Sequence, residues 1–175
     1  MEQALYEPIH DSFRELCREF LAREAVPFHA EWEKAGLVDR DVWRKAGKAG
    51  LLGLDVGDEY GGGGQHDFRF NAVLVEEIIR AGCSGLGFGL HNDVVAPYLT
   101  ELCASSQRER WLPGFCSGEI ITAIAMSEPG AGSDLAGVRT TAVHDGDSYV
   151  LNGQKTFITN GIHADLVIEI GRAHV

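Results

Sequence analysis

The chain has 175 residues, 45% of them hydrophobic, enough for one packed domain or a small two-domain unit and too many for a disordered segment. Its 15 Lys and Arg against 26 Asp and Glu leave a formal charge of −11, so the long-range field repels nucleic acid and anionic membrane surfaces. No apolar run approaches the roughly 20 residues of a membrane span, and Met1 to Pro8 lacks the zones of a signal peptide, so a cytoplasmic protein is expected.

From Asp11 to His29 the apolar residues Phe13, Leu16, Cys17, Phe20 and Leu21 recur every three or four positions, which predicts one helical face, with Ser12 and Glu15 as its capping box. Asp39 opens a second helical segment through Val42, Trp43 and Ala46 that ends in Gly47 to Gly53. Gly61 to Gly64 read as a turn or loop. A third helix is expected from about Phe68 to Ala81 with Val73, Leu74 and Ile78 inward. A fourth, about Asn92 to Ala104, leads into Ser106 to Phe115, where Ser106 and Glu109 repeat the capping-box spacing.

After Gly118 the period changes. Ile120 to Met126 is a short apolar run, and Gly137 to His144 alternates Thr and Val. Asp145-Gly146-Asp147 and Asn152-Gly153 are turn signals before Ser148 to Leu151 and Lys155 to Thr159, and Ala164 to Ile168 is a last strand. The pattern predicts a helical domain passing into an antiparallel sheet near residue 119. The cysteines Cys17, Cys83, Cys103 and Cys116 form no Cys-x-x-Cys pair, and the seven His form no metal-binding motif, so reduced structural thiols and no metal are expected.

The stretch Met126-Ser127-Glu128-Pro129-Gly130-Ala131-Gly132-Ser133-Asp134-Leu135-Ala136-Gly137 concentrates glycines, a proline and hydroxyls at a strand-to-loop junction. Glycine lets a ligand approach the backbone, proline fixes a dihedral, and Ser127 and Ser133 add donors, which makes a candidate cofactor loop. The alternative is an ordinary surface turn. It is no dinucleotide fingerprint, since Leu135 stands where the third glycine belongs, and no Gly-Lys-Ser/Thr phosphate loop exists.

Met126 to Gly137 is similar residue for residue to the signature of the acyl-CoA dehydrogenases. Further blocks resemble that family in order and spacing: Trp32 to Gly36, Ala46 to Gly53, Glu59 to Gly62, Arg110 to Pro113 with Gly118-Glu119, and Leu151 to Gly161. The resemblance leans toward long-chain members and runs from about Asp11 to Ile168. It implies an α+β chain: an all-α N-terminal helical domain over residues 8–118, then a truncated antiparallel β-barrel middle domain over 119–168. Residues 169–175 are expected to be a non-native tail, because one back-translation of them resembles the start of a common short-read sequencing adapter.

The resemblance also implies an FAD-dependent oxidoreductase that dehydrogenates acyl-CoA thioesters between Cα and Cβ and passes electrons to an electron-transferring flavoprotein, as a homo-oligomer when full length. Flavin contacts fall on Ile124, Met126, Ser127, Phe157, Ile158 and Thr159, and Ser133 meets the thioester arm of the substrate. The family's catalytic glutamate belongs to a C-terminal helical bundle, so no residue here is nominated as base. Glu128 and Asp134 are read as shaping the loop, and His91 as a satisfied, partly buried histidine in place of a lining of the acyl pocket. An acyl-CoA oxidase fragment and a non-catalytic helical interaction module are the alternatives.

Overall fold

The computed structural model describes residues 5–174, with side chains to Arg172, so the leader and tail readings rest partly on residues outside the described ones. The chain divides into two compact units between Ile121 and Thr122.

The first unit is helical: α1 (Pro8–Glu24), α2 (Val26–Ala35), α3 (Arg40–Lys48), α4 (Arg69–Arg80) and α5 (Ser105–Ser117), with π-helical turns at Leu90–Val95 and Tyr98–Leu102. The single helix expected from Asp11 to His29 is two. Pro27 has no N–H to continue α1, and the chain breaks at Ala25 (φ −122°, ψ −56°) before restarting. The start of α1 lies earlier than Ser12: Pro8 is its first residue, and the His10 ring Nδ1 accepts the Glu7 N–H at 3.1 Å. Ser12 instead donates to the Pro8 carbonyl at 3.1 Å. α5 likewise starts one residue early, with Gln107 Oε1 accepting the Ala104 N–H at 2.9 Å. The spacing of the sequence pattern is right in kind and off in register, because several polar side chains near a helix start compete for the same orphan amides.

α3 begins as expected, with the Asp39 carboxylate accepting the Asp41 N–H at 2.9 Å. Val73, Leu74 and Ile78 of α4 are buried as their spacing predicts. The expected helix at Asn92–Ala104 is instead the two wide π-helical turns, flanking Pro97, whose ring cannot donate to a regular ladder. One core joins Cys17, Phe20 and Leu21 of α1, Val42 and Trp43 of α3, Leu74 of α4 and Phe88. α3 and α5 pack closely because Gly118 caps α5 at φ 76° and any Cβ on it would strike the Trp43 carbonyl.

The second unit holds β1 (Thr122–Ala125), β2 (Thr141–Asp145), β3 (Ser148–Asn152), β4 (Leu166–Glu169) and β5 (Arg172–His174). β2 and β3 form the predicted antiparallel hairpin around Gly146 (φ 62°). The other two pairings among the described residues are parallel: β1 with β4, Thr122 opposite Leu166, and β2 with β5, Thr141 opposite Arg172. A turn signal specifies only the hairpin it closes; pairings between distant segments leave no local mark. The expected strand at Lys155–Thr159 is irregular chain, since Phe157 sits at φ 55° and cannot continue a pleat.

Candidate functional site: a clamped loop on the sheet unit

β1 is buried along its whole length and delivers the chain into Met126 and Ser127, both half-buried. Next comes a tight turn: the Glu128 N–H donates to the Ala131 carbonyl at 2.8 Å and the Ala131 N–H donates back at 3.1 Å, with Pro129 and Gly130 exposed at the tip. A Cβ on Gly130 or Gly132 would meet nothing within 4 Å, and neither is among the positive-φ glycines. The chain itself therefore does not require glycine at either place.

The Glu128 carboxylate is turned inward and buried. Its oxygens accept the Arg139 N–H at 2.7 Å, the Thr140 N–H at 2.8 Å and the Lys155 ammonium at 2.9 Å. Hydrogen bonds from Thr140 first, then from Lys155 and Arg139, hold this carboxyl down at about 2. Every strong donor nearby favours the charged form, so Glu128 shapes the loop and is unsuited to take a proton; Asp134 is exposed.

A second segment meets the first. The Thr156 N–H donates to the Ser127 carbonyl at 3.0 Å, and Lys155 Nζ donates to the Met126 carbonyl at 3.0 Å. Phe157 follows at φ 55° with 95% of its surface exposed. Ile158 is half-buried and Thr159 exposed. Asn160, at φ 63°, donates from its side chain to the Thr122 carbonyl at 3.0 Å and closes the segment back onto β1. Asn tolerates that backbone better than a large aromatic does, and two non-glycine residues in the left-handed region within four positions mark stored strain.

Of the residues singled out from the sequence, Met126 and Ser127 are thus tied to Thr156 and Lys155, the two residues that precede the Phe157–Thr159 turn. Ile124 lies within β1, buried, opposite Ile168 of β4. Ser133 is exposed in the loop beyond Ala131, with no tie to the other candidates. Sequence reasoning missed Lys155 and Asn160 as individuals. A lone cation next to a turn signal and an Asn-Gly pair were the available marks, but neither says which carbonyl it will reach.

His91, in the helical unit, is fully buried. Its Nε2 donates to the Phe115 carbonyl at 3.0 Å, its ring stacks on Phe115 at 3.6 Å, and burial pushes its pKa down to about 4. It is a neutral core histidine. The same unit has a cavity of about 410 Å³ lined by Asp55, Asp58, Glu59, Tyr60, His66 and Arg108, among others, whose acidic rim suits no phosphate group. Burial also raises Cys17 and Cys116 to about 12, and all four cysteines are free. Among the described residues no group of three His, Cys, Asp or Glu could hold a metal ion, and no helix is long and apolar enough to cross a membrane.

A helical unit followed by a buried strand that opens into a clamped, glycine-bearing loop beside an exposed aromatic is an order of elements shared with a known family. Family models agree: "Acyl-CoA dehydrogenase, N-terminal domain" matches residues 7–119 and "Acyl-CoA dehydrogenase, middle domain" matches 123–174. The chain belongs to the acyl-CoA dehydrogenase family. It is 51% identical over 161 residues to the long-chain specific acyl-CoA dehydrogenase, mitochondrial, of Mus musculus, covering 92% of this chain and 37% of that protein. The acyl-CoA dehydrogenase of Geobacillus kaustophilus superposes with a TM-score of 0.91 at 50% identity, over 95% of this chain and 44% of that one. An acyl-CoA dehydrogenase complexed with FAD from Bacillus anthracis does so with 0.80 at 31% identity, over 97% and 29%. The chain thus spans less than half the length of these relatives.

Proposed function

We propose that residues 1–168 are the flavin-facing portion of an FAD-dependent enzyme that dehydrogenates acyl-CoA thioesters between Cα and Cβ. The observation that carries this reading is the clamp: Met126–Glu128 and Lys155–Thr156 are tied together, leaving the Phe157 ring 95% exposed at a strained backbone position. Strained backbone of this kind clusters at ligand-binding sites, which supports the reading of Phe157 as a ligand contact.

The residues present fit a flavin. Phe157 offers an apolar face, the Ser127 and Thr159 hydroxyls offer donors to ring acceptors, and the open surroundings of Gly130 and Gly132 admit close backbone approach. When bound, FAD supplies the oxidised ring that accepts a hydride. Met126, Ser127, Phe157, Ile158 and Thr159, with Ile124 behind them, would hold and orient it, and Ser133 would contact the thioester arm. The thioester carbonyl acidifies the α-carbon, and a glutamate from the C-terminal part that the relatives carry takes the α-proton. Ordering of the loop fixes where the two carbons lie against base and cofactor.

A barrel-type middle domain, an electron-transferring flavoprotein as electron acceptor, homo-oligomeric assembly and a cytoplasmic location belong to the same proposal, as does the division at residues 118–119. Residues 169–175 are proposed to be foreign to the parent protein, although the middle-domain match runs to residue 174, and a genomic clone across them decides.

The test is a visible spectrum of the purified full-length protein, followed by anaerobic single-turnover reduction with acyl-CoA. Bound yellow flavin bleached by substrate is the expected result, and colourless protein that FAD does not restore overturns the reading. Thr159→Val keeps shape and removes a hydroxyl; it should slow that reduction about fivefold or more, one hydrogen bond of about 1 kcal/mol, with unfolding unchanged.

A further inference from the structure

Two consecutive residues clamp three. Lys155 donates to the Met126 carbonyl and the Glu128 carboxylate, and Thr156 donates to the Ser127 carbonyl that lies between them. The Lys155 side chain is only 10% exposed, and its ammonium also donates to the Ile170 carbonyl at 2.7 Å and lies 3.4 Å from the Glu169 carboxylate. On the far side of Phe157–Thr159, Asn160 donates to the Thr122 carbonyl. Both anchors therefore reach one continuous stretch, β1 and its extension to Glu128. Between them lies Phe157, whose left-handed backbone persists only if its surroundings over-determine it.

We infer that Lys155 is a positioning residue whose ammonium, gripping Met126 and Glu128, sets the Phe157–Thr159 turn in register with Met126–Ser127 so that both present one ligand surface. This rests on the flavin reading above. An ordinary buried ion pair would need one acceptor; here the cation also takes the backbone carbonyl next to the candidate contact residue Ser127, and the partner carboxylate is itself fixed by the Arg139 and Thr140 amides. The anchor is thus rigid at both ends. Because Glu128 stays ionised down to about 2, the grip holds at any physiological pH.

The experiment compares Lys155→Met, which keeps the stem and removes the charge, with wild type and Lys155→Arg in the full-length protein. Hydrogen exchange should quicken about tenfold in peptides covering 122–131 and 153–161 of Lys155→Met, the factor of roughly one charge-assisted hydrogen bond, and not in α4 or α5. In the same variant added FAD should bind about tenfold more weakly and the visible circular dichroism of bound flavin should change, with Lys155→Arg recovering part of both. Unchanged exchange at the two segments overturns the inference. So does acceleration throughout the chain, which marks a general structural role, or loosened segments with unaltered flavin affinity and dichroism. Should Lys155→Met not fold, Glu128→Gln carries the same reading, since it removes the charge that Lys155 grips and leaves one side-chain oxygen to accept from a backbone amide, the other of the two amide bonds being lost. If wild type itself binds no FAD the flavin reading falls, and the positioning role falls with it, while exchange still reports whether Lys155 ties the segments.

Discussion

The helical unit and the sheet unit both bury paired ionisable groups, but among the described residues only the sheet unit also sets an exposed aromatic on left-handed backbone. In the first, such groups are consumed internally. His91 is sealed under Phe115, and Glu77, 2% exposed, is held by Arg14, Arg18 and Arg80; burial alone would raise its pKa, but hydrogen bonds from Arg18 and Arg14 make the net shift downward. In the second unit Glu128 and Lys155 neutralise each other inside, while Phe157 and Ile162 stand 95% and 82% exposed. The contrast teaches that a buried ionisable group is weak evidence of a site, whereas an exposed aromatic on strained backbone next to a fixed loop is stronger.

The contrast can be broken most forcefully at Trp43, 1% exposed and edge-on to Phe88 and His91. Trp43→Ala should remove about 3–5 kcal/mol of stability in urea unfolding followed by helical circular dichroism. A loss under about 1 kcal/mol means the helical core is not packed as described.

The next effect is a pH dependence. His91 is neutral in the folded unit with a pKa of about 4, against about 6.5 unfolded. Above about pH 6.5 it contributes nothing to the slope. As pH falls from 6.5 to 4 the unfolded chain takes up the proton first, so stability declines, by on the order of 3 kcal/mol in all. His91→Gln keeps a side-chain donor and should flatten that part of the profile; an identical slope in the variant assigns it elsewhere.

Phe157→Gly sharpens the comparison by its sign. Relief of the left-handed backbone should leave thermal stability unchanged or raised by up to about 1 kcal/mol, while FAD affinity falls. A large loss of stability would make Phe157 a packing residue after all. The smallest expected effect is Gly130→Ala, within about 0.5 kcal/mol on unfolding because its Cβ meets nothing in the chain, so any weakening of FAD binding comes from the ligand's approach alone.

Local periodicity located the inward faces of α3 and α4 but not every helix boundary: spacing placed Val73, Leu74 and Ile78 inward, and Asp39 at the start of α3. Glycine, hydroxyl and proline composition alone marked Met126–Gly137 as a candidate loop, and the resemblance carried the family, which the comparisons bear out. What the sequence by itself determined was whatever depends on neighbours within a turn or two: helical faces, the β2–β3 hairpin and the position of the loop. Only the tertiary structure decided that β1 pairs parallel with β4, that residues 155–159 leave the pleat, and that Lys155 reaches Met126 and Glu128. Those outcomes depend on which distant carbonyl or carboxylate a donor meets once the chain is packed, and a burial-driven choice among distant partners leaves no period in the sequence to read.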